Sequence, residues 1–363
     1  MTVLTRRALN RATLDRQLLL HRAPLAVPAA IEYLVGMQAQ APFPPYTGLW
    51  TRLVDFRPDE LGDLLVNREV VRIALMRGTV HLVTAADCRR LRPVMQEVLD
   101  RTLRATYSRQ LDGLDLGEIE TFGRKLVEPE PLLSSELTRR LMERWPGRDR
   151  QALANAVRTR LPLVQVPPRA VWGRSGQTTV TTADAWFGQP LSGDTAPDDT
   201  VLRYLRAFGP ASVADVQKWC GRTGLREVVD RLGLPAFRDE DGVELFDVPD
   251  APRPDPDVPA PVRFLPEFDN VLLSYADGRR IIGAEHRPAL FTVNGIIRSA
   301  LLVDGFVAGT WKINQTKGLA VLDIRPLVRL SNQVKSAVWA EGARLLDFTT
   351  PAADHNIRFL VSE

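Results

Sequence analysis

Apolar residues recur at helical spacing over residues 9–20 and again over 28–38, where Pro28 suits a first turn whose N–H has no partner to lose. A further helix is predicted at 58–65, with Asp59 and Glu60 near its positive end. The segment RIALMRGTVHLVT (72–84) is instead β-branched and apolar on both sides of Arg77-Gly78, the content of two paired strands. Another helix is predicted from residue 85 to about 107. Helix, helix and paired strands then recur. LLSSELTRRLMERW carries Leu137, Leu141 and Trp145 at helical spacing after a capping Ser135. RQALANAVRTRL continues as a helix, and the following stretch reads as two strands joined by a turn at 173–176. The third occurrence is shorter. Ser212 caps a helix after the Gly209-Pro210 break, REVVDRLG follows, and AFRDEDGVELFDV makes a hairpin around Asp241-Gly242.

That repeated order is the pattern of a winged helix, a helix-turn-helix variant whose second helix reads the major groove. The predicted units are 1–115, 116–192 and 193–256. A Pro/Asp linker, PDAPRPDPDVPAP (249–261), separates them from a mainly β part at 257–363. Residues 262–363 are expected to form a curled antiparallel sheet or small barrel carrying one helix at 334–346. The fold class is therefore α+β: tandem winged-helix repeats with a C-terminal β-rich subdomain, arranged as a C-shaped cleft for DNA.

Charge adds less than the choice of cation. The formal net charge is +3, but only five of the 47 cationic residues are lysine. Arginine's planar fork matches phosphate and guanine edges better than an ammonium does. A GC-rich genome produces the same bias, so composition leaves nucleic-acid binding open. No apolar run approaches the ~18 residues of a membrane span, and the basic residues 1–22 lack the apolar core of a secretory signal. Cys88 and Cys220 stand far apart, and the chain has four histidines. A disulfide framework and a zinc site are both disfavoured, and a cytoplasmic protein is expected. Without a dimerisation heptad, a monomer is expected. Walker, GxSxG, HExxH and zinc-deaminase motifs are all missing.

What remains is the junction EYLVGMQAQAPFPPYTGLW (32–50). Two glutamines at i and i+2 diverge by about 200° on a helix, but in an extended backbone they share one side. Pro42 disfavours helix at Ala41, so the preceding helix is expected to end near Gln38–Gln40. Gln38 and Gln40 would then face one cleft, with Tyr46 and Trp50 available as pocket walls, although Trp50 at helical spacing also suits the core. Two solvated glutamines at a helix end remain the alternative.

The chain resembles the AlkZ-like family of winged-helix DNA glycosylases nearly end to end. The resemblance is carried by MQAQ (37–40), RGTVHLV (77–83), LPEFDNVLLSYADGRRII (265–282) and LLVDGFVAGTW (301–311). It implies that Gln38 and Gln40 are the catalytic glutamine–apolar–glutamine motif of the glycosylase branch; a sister branch has Asp at the second position. It also implies excision of N7-alkylated purines from double-stranded DNA, including bulky natural-product adducts and interstrand crosslinks. No metal or organic cofactor is implied. An N7-alkylated guanine is cationic and leaves readily, so the enzyme need only place a water and stabilise the sugar cation. An amide does both, accepting at its carbonyl and donating at its NH₂. None of the five lysines lies beside the junction in sequence, which favours a monofunctional enzyme over a Schiff-base lyase.

Four further residues are expected at the DNA. Arg77 and His81 flank Gly78 in the first β turn, although His81 equally suits a satisfied structural role. Asp277-Gly278-Arg279-Arg280 reads as an exposed hairpin tip, and the resemblance gives a basic hairpin a role in engaging DNA. Glu267 and Asp269 are assigned structural hydrogen bonding. The competing class is a non-catalytic winged-helix regulator or architectural protein, because fold alone never settles function.

Overall fold

The computed structural model describes residues 2–360. Its frame is three sheets. The largest has six strands, in the order Met37–Gln38, Val80–Thr84, Val70–Ala74, Leu163–Gln165, Thr179–Thr182 and Leu132–Leu133. The runs VVRIA and VHLVT are apolar almost throughout because both faces of this sheet are covered. On one face Val71, Ile73, Val83 and Val164 join a core with Tyr204, Phe208 and Trp219. On the other, Val70, Val80 and Leu82 pack with Tyr46, Leu49 and Leu65. Each fully buried Leu, Val or Phe of this kind contributes about 1.5–3 kcal/mol.

The sheet also joins the first two predicted units. Arg72 lies opposite Gln165 and Ile73 opposite Val164 in antiparallel register. The third hairpin, Ala236–Asp239 with Glu244–Phe246, sits at the predicted Asp241-Gly242 turn. A short N-terminal strand, Val3–Leu4, pairs with it in parallel. Buried ion pairs reinforce these joins: Arg16 with Asp247, Arg52 with Asp269 and Arg203 with Asp87.

Local signals account for several element ends. Thr5 caps Arg6–Arg16, and Ser212 forms a reciprocal capping box with Asp215 at the start of Val213–Cys220. The first helix stops before the predicted residue 20 because Leu18 turns left-handed, with φ 57°. The helix predicted over 85–107 is two, Ala85–Val94 and Gln96–Tyr107, meeting at Met95 just after Pro93. Ser135 is not a cap, since that helix already begins at Ser134.

The C-terminal part departs further from expectation. Its five strands run in the order Arg263–Leu265, Ala300–Val303, Phe306–Thr316, Leu319–Pro326 and Asp354–Phe359. The first four are antiparallel, but the last is parallel to its neighbour. The helix Asn332–Thr349 carries the chain back along the sheet, and such a crossover restores the strand direction. The expected wholly antiparallel sheet is thus a mixed one. Residues 266–299 contain no strand, so Asp277–Arg280 is a turn within an irregular packed segment and not a hairpin tip. Among the described residues no helix is long and apolar enough to cross a membrane.

Candidate functional site

The junction begins where helix Val27–Tyr33 stops. Val35 and Gly36 both take left-handed backbone, with φ 56° and 83°. Glycine suits the second position twice over: its φ is positive, and a Cβ there would lie 2.6 Å from Val83 Cγ1. Gly36→Ala is expected to destabilise the fold by more than about 1 kcal/mol, read as a lower urea midpoint. An unchanged midpoint would show that the turn does not need glycine.

Beyond Gly36, Met37–Gln38 is already a strand, with Gln38 opposite His81. The helix therefore ends more than a turn before the predicted Gln38–Gln40. The ladder then comes apart in an ordered way. The Ala39 N–H donates to the Val80 carbonyl at 2.8 Å, but its own carbonyl accepts from Arg72 Nη2 at 2.7 Å. The Val80 N–H consequently donates to Gln40 Oε1 at 3.3 Å, so a side-chain amide stands where a strand carbonyl would be.

Gln38 is fixed from two sides. Its Oε1 accepts from Arg77 Nη2 at 2.6 Å, and its backbone N–H donates to Asn270 Oδ1 at 3.3 Å. Asn270 Nδ2 in turn donates to the Gly36 carbonyl at 3.0 Å. Both glutamine side-chain oxygens thus take protein donors, and each NH₂ group has no partner among the described residues. The expected convergence on one cleft is only partly realised. Gln40 is exposed and lines a cleft of about 320 Å³ with Arg72, Arg158 and Arg169. Gln38 is 7% exposed and lies beside Asn270, outside that lining. The chain bends from Gln40 through Phe43, which ends the alternation of a straight strand.

Arg77 sits in a left-handed turn, φ 57°, and donates to the Trp219 carbonyl as well as to Gln38. Burial draws its guanidinium down to about 10, leaving it charged at neutral pH. It therefore links the glutamine strand to the helix Val213–Cys220. His81 is fully buried; its Nδ1–H donates to the Thr79 carbonyl at 3.0 Å, and Nε2 has no partner among the described residues. Burial first, then Arg77, pushes its pKa to about 3. The ring is neutral and shielded from solvent, which removes it from direct phosphate contact in this structure.

That shift has a sign for stability. With the folded value below the ordinary 6.5, the unfolded chain binds the extra proton first as pH falls. Stability from this group is complete above about 6.5 and declines as pH drops toward 3. Urea unfolding of a His81→Phe variant is expected to weaken less between pH 7 and pH 5 than that of the parent. Equal losses would assign the acid sensitivity to other groups.

The aromatic walls are redistributed. Tyr46 is completely buried, its hydroxyl donating to the Ala170 carbonyl at 2.7 Å and accepting from the Trp172 N–H at 3.1 Å. Trp50 stacks on Phe348 with ring centres 5.8 Å apart, and the Arg22 guanidinium lies 4.8 Å from its ring. Both belong to the packing between the junction and the C-terminal helix. Phe43 is exposed and edge-on to Trp172, and both line a cavity of about 730 Å³ against the C-terminal sheet. Phe43 was visible in the FPPY stretch, whereas nothing near Trp172 in sequence ties it to the junction.

The basic turn is also corrected. Arg280 is buried, donates to the Pro210 carbonyl at 2.8 Å and stacks 4.1 Å from the Tyr275 ring centre. Arg279 remains accessible, paired with Asp277 and Asp241 at 2.7 Å each. Asp269 has the structural role expected of it, accepting two bonds from Arg52 at 2.8 Å. Glu267 is exposed at the rim of the larger cavity.

These elements define an α+β protein with a C-terminal β sheet, in which Gln40, just beyond the edge strand Met37–Gln38, stands at an arginine-lined cleft. Its structure is similar to that of Streptomyces sahachiroi DNA glycosylase AlkZ, with a TM-score of 0.82 at 20% identity over 99% of this chain and 100% of that one. A Streptomyces sahachiroi relative described as an interstrand DNA cross-link repair glycosylase is 25% identical over 330 residues, 83% of this chain and 85% of that protein. The DNA glycosylase AlkZ-like family matches residues 31–348, which include the glutamine junction. The chain belongs to the AlkZ-like DNA glycosylase family.

Proposed function

We propose that this chain is a monofunctional DNA glycosylase that hydrolyses the N-glycosidic bond of N7-alkylated purines and leaves an abasic site. Bulky natural-product adducts and interstrand crosslinks belong to the proposed substrate range, and an open C-shaped cleft suits a base tethered to both strands. The three helix–helix–hairpin units act as winged-helix modules holding duplex DNA. The observation that carries the reading is Gln40, exposed at the arginine-lined cleft with its amide oriented by the Val80 N–H.

The reaction asks little acid–base chemistry of the protein. The C1′–N9 bond breaks with its electron pair passing to the cationic base, which leaves neutral. Water oxygen then bonds to C1′ and releases its proton to solvent. Gln40 Oε1 retains a second lone pair to accept from that water, while its NH₂ donates to a sugar or phosphate oxygen. Gln38 anchors the same strand through Arg77 and Asn270. A neutral purine lacks the departing charge and is cleaved poorly, which favours cationic lesions.

Residues lining the cleft beside Gln40 include no lysine, and Lys312 lines the neighbouring larger cavity. The test is single-turnover reaction on a duplex with one N7-methylguanine. Strand breaks should appear only after hot alkali, and borohydride should trap no protein–DNA adduct. A duplex that stays alkali-resistant would defeat the glycosylase reading, and a trapped adduct would place Lys312 or another amine in the mechanism.

A further inference from the structure

Several deeply buried arginines are neutralised by carboxylates, Arg16 by Asp247, Arg52 by Asp269 and Arg203 by Asp87, whereas Arg77 and Arg92 take neutral acceptors singly. The cleft beside Gln40 differs in gathering three arginines around one cavity. Arg72, Arg158 and Arg169 line it together, no acidic residue is part of the lining, and none of the three is ion-paired among the described residues. Arg72 is only 2% exposed, yet its bonds go to neutral oxygens, Gln165 Oε1 and the Ala39 carbonyl, both at 2.7 Å. Among the described residues its Nε is buried without a partner, as is that of Arg169. Arg169 donates to the Gly176 carbonyl at 3.1 Å, and Arg158 to the Gly78 carbonyl at 3.5 Å. Neutral acceptors orient these cations without cancelling their charge. Burial and the charge of Arg169 both oppose protonation of Arg72, drawing it down to about 10.

Packing three like charges around one cavity is unfavourable unless an anion enters it. The anion must offer several oxygens to planar forks, which describes a tetrahedral phosphate. Thr138 and Gln40 also line the cleft. Neither carries a charge that competes for the arginines.

We propose that Arg72, Arg158 and Arg169 seat one backbone phosphodiester of the lesion-bearing strand and so register the damaged nucleotide against Gln40. The inference rests on the glycosylase reading above and adds a positioning site to it. Arg72 is already fixed by the Ala39 carbonyl, so the phosphate and the Gln-Ala-Gln strand are held by the same side chain. A shift of the strand would displace both.

The test uses the full chain and a duplex with a stable abasic analogue, in which single linkages are replaced in turn by neutral methylphosphonate. The parent should lose roughly tenfold in affinity at one linkage near the analogue, the scale of a lost charge-assisted contact. Arg158→Gln/Arg169→Gln should bind roughly tenfold more weakly and lose nothing further at that linkage. Its dependence of log affinity on log salt should be shallower by about 0.9 per phosphate contact removed. If the double variant melts below the assay temperature, Arg158→Gln alone, at a partly buried position, is read instead. A flat linkage scan, or a variant with the parental scan and salt slope, overturns the proposal. So does inorganic phosphate that binds the cleft without weakening DNA binding, which would mark a free-phosphate site. Excision of N7-methylguanine is scored separately. A sensitive linkage without excision defeats the glycosylase reading alone, and excision with a flat scan defeats the phosphate seat alone.

Discussion

Alanine in place of Gln40 is expected to slow excision of N7-methylguanine by about 10²–10³-fold while duplex binding persists, the usual scale for one donor or acceptor lost from a preorganised site. The side chain is exposed, and the Val80 N–H it releases sits at the end of a ladder where water can replace it. The variant should therefore fold normally, which makes the rate loss interpretable. Gln38→Ala should lose a similar factor but also some stability. It withdraws the acceptor of Arg77 Nη2, and a hydrogen bond to a charged group is worth about 1.5–3 kcal/mol. The glutamate variants separate the two positions further. Glu at 38 meets the Arg77 guanidinium directly, while Glu at 40 meets the Val80 N–H beside the arginine cluster. Both should fold, so the resemblance to a branch with Asp at the second position is not the only argument for tolerance there. Single-turnover excision with saturating enzyme measures chemistry apart from binding. Parental rates in the Gln38→Ala/Gln40→Ala double variant would remove both residues from the mechanism.

The largest stability effect is expected at Asp269→Ala, about 3–5 kcal/mol, because it strands a buried cation rather than removing a surface pair. Arg52 is 2% exposed and donates to both Asp269 oxygens at 2.8 Å, as well as to the Gln17 and Gly48 carbonyls at 3.0 Å. One guanidinium thereby ties the first helix, the helix Pro44–Trp50 and the irregular segment after Leu265 into one unit. Asp269 also precedes Asn270, which holds both Gly36 and Gln38, so loosening it should lower excision as well. Replacing both partners, Arg52→Met with Asp269→Leu, should recover much of the loss because no unpaired charge remains. Urea unfolding of the parent and both variants checks this. A shift below 1 kcal/mol in Asp269→Ala would mean that water reaches Arg52 and the pair is not sealed.

Features written within a few residues of one another were determined by the sequence itself. Ser212 after Gly209-Pro210, the Asp241-Gly242 hairpin and the strands around Arg77-Gly78 each rest on a local backbone preference or cap. They formed where that chemistry placed them. That the junction helix gives way to extended backbone was legible, but its end was read too late, near Gln38–Gln40, because Gly36 and not Pro42 marks it. The C-terminal β content was readable, but not the parallel last strand, because periodicity reports which face is buried and says nothing about direction. Only the tertiary structure decided which distant strands pair, as Arg72 with Gln165 and Val3 with Arg238 do. It also decided the fate of the arginines. Arg279 and Arg280 are adjacent and chemically identical, yet one reaches solvent while the other is buried on Tyr275 and the Pro210 carbonyl. A guanidinium is soluble, stackable and able to bond any carbonyl, so its role is set by the acceptors folding brings to it. Arg72, Arg158 and Arg169 converge beside Gln40 for that reason, from two units that share one sheet.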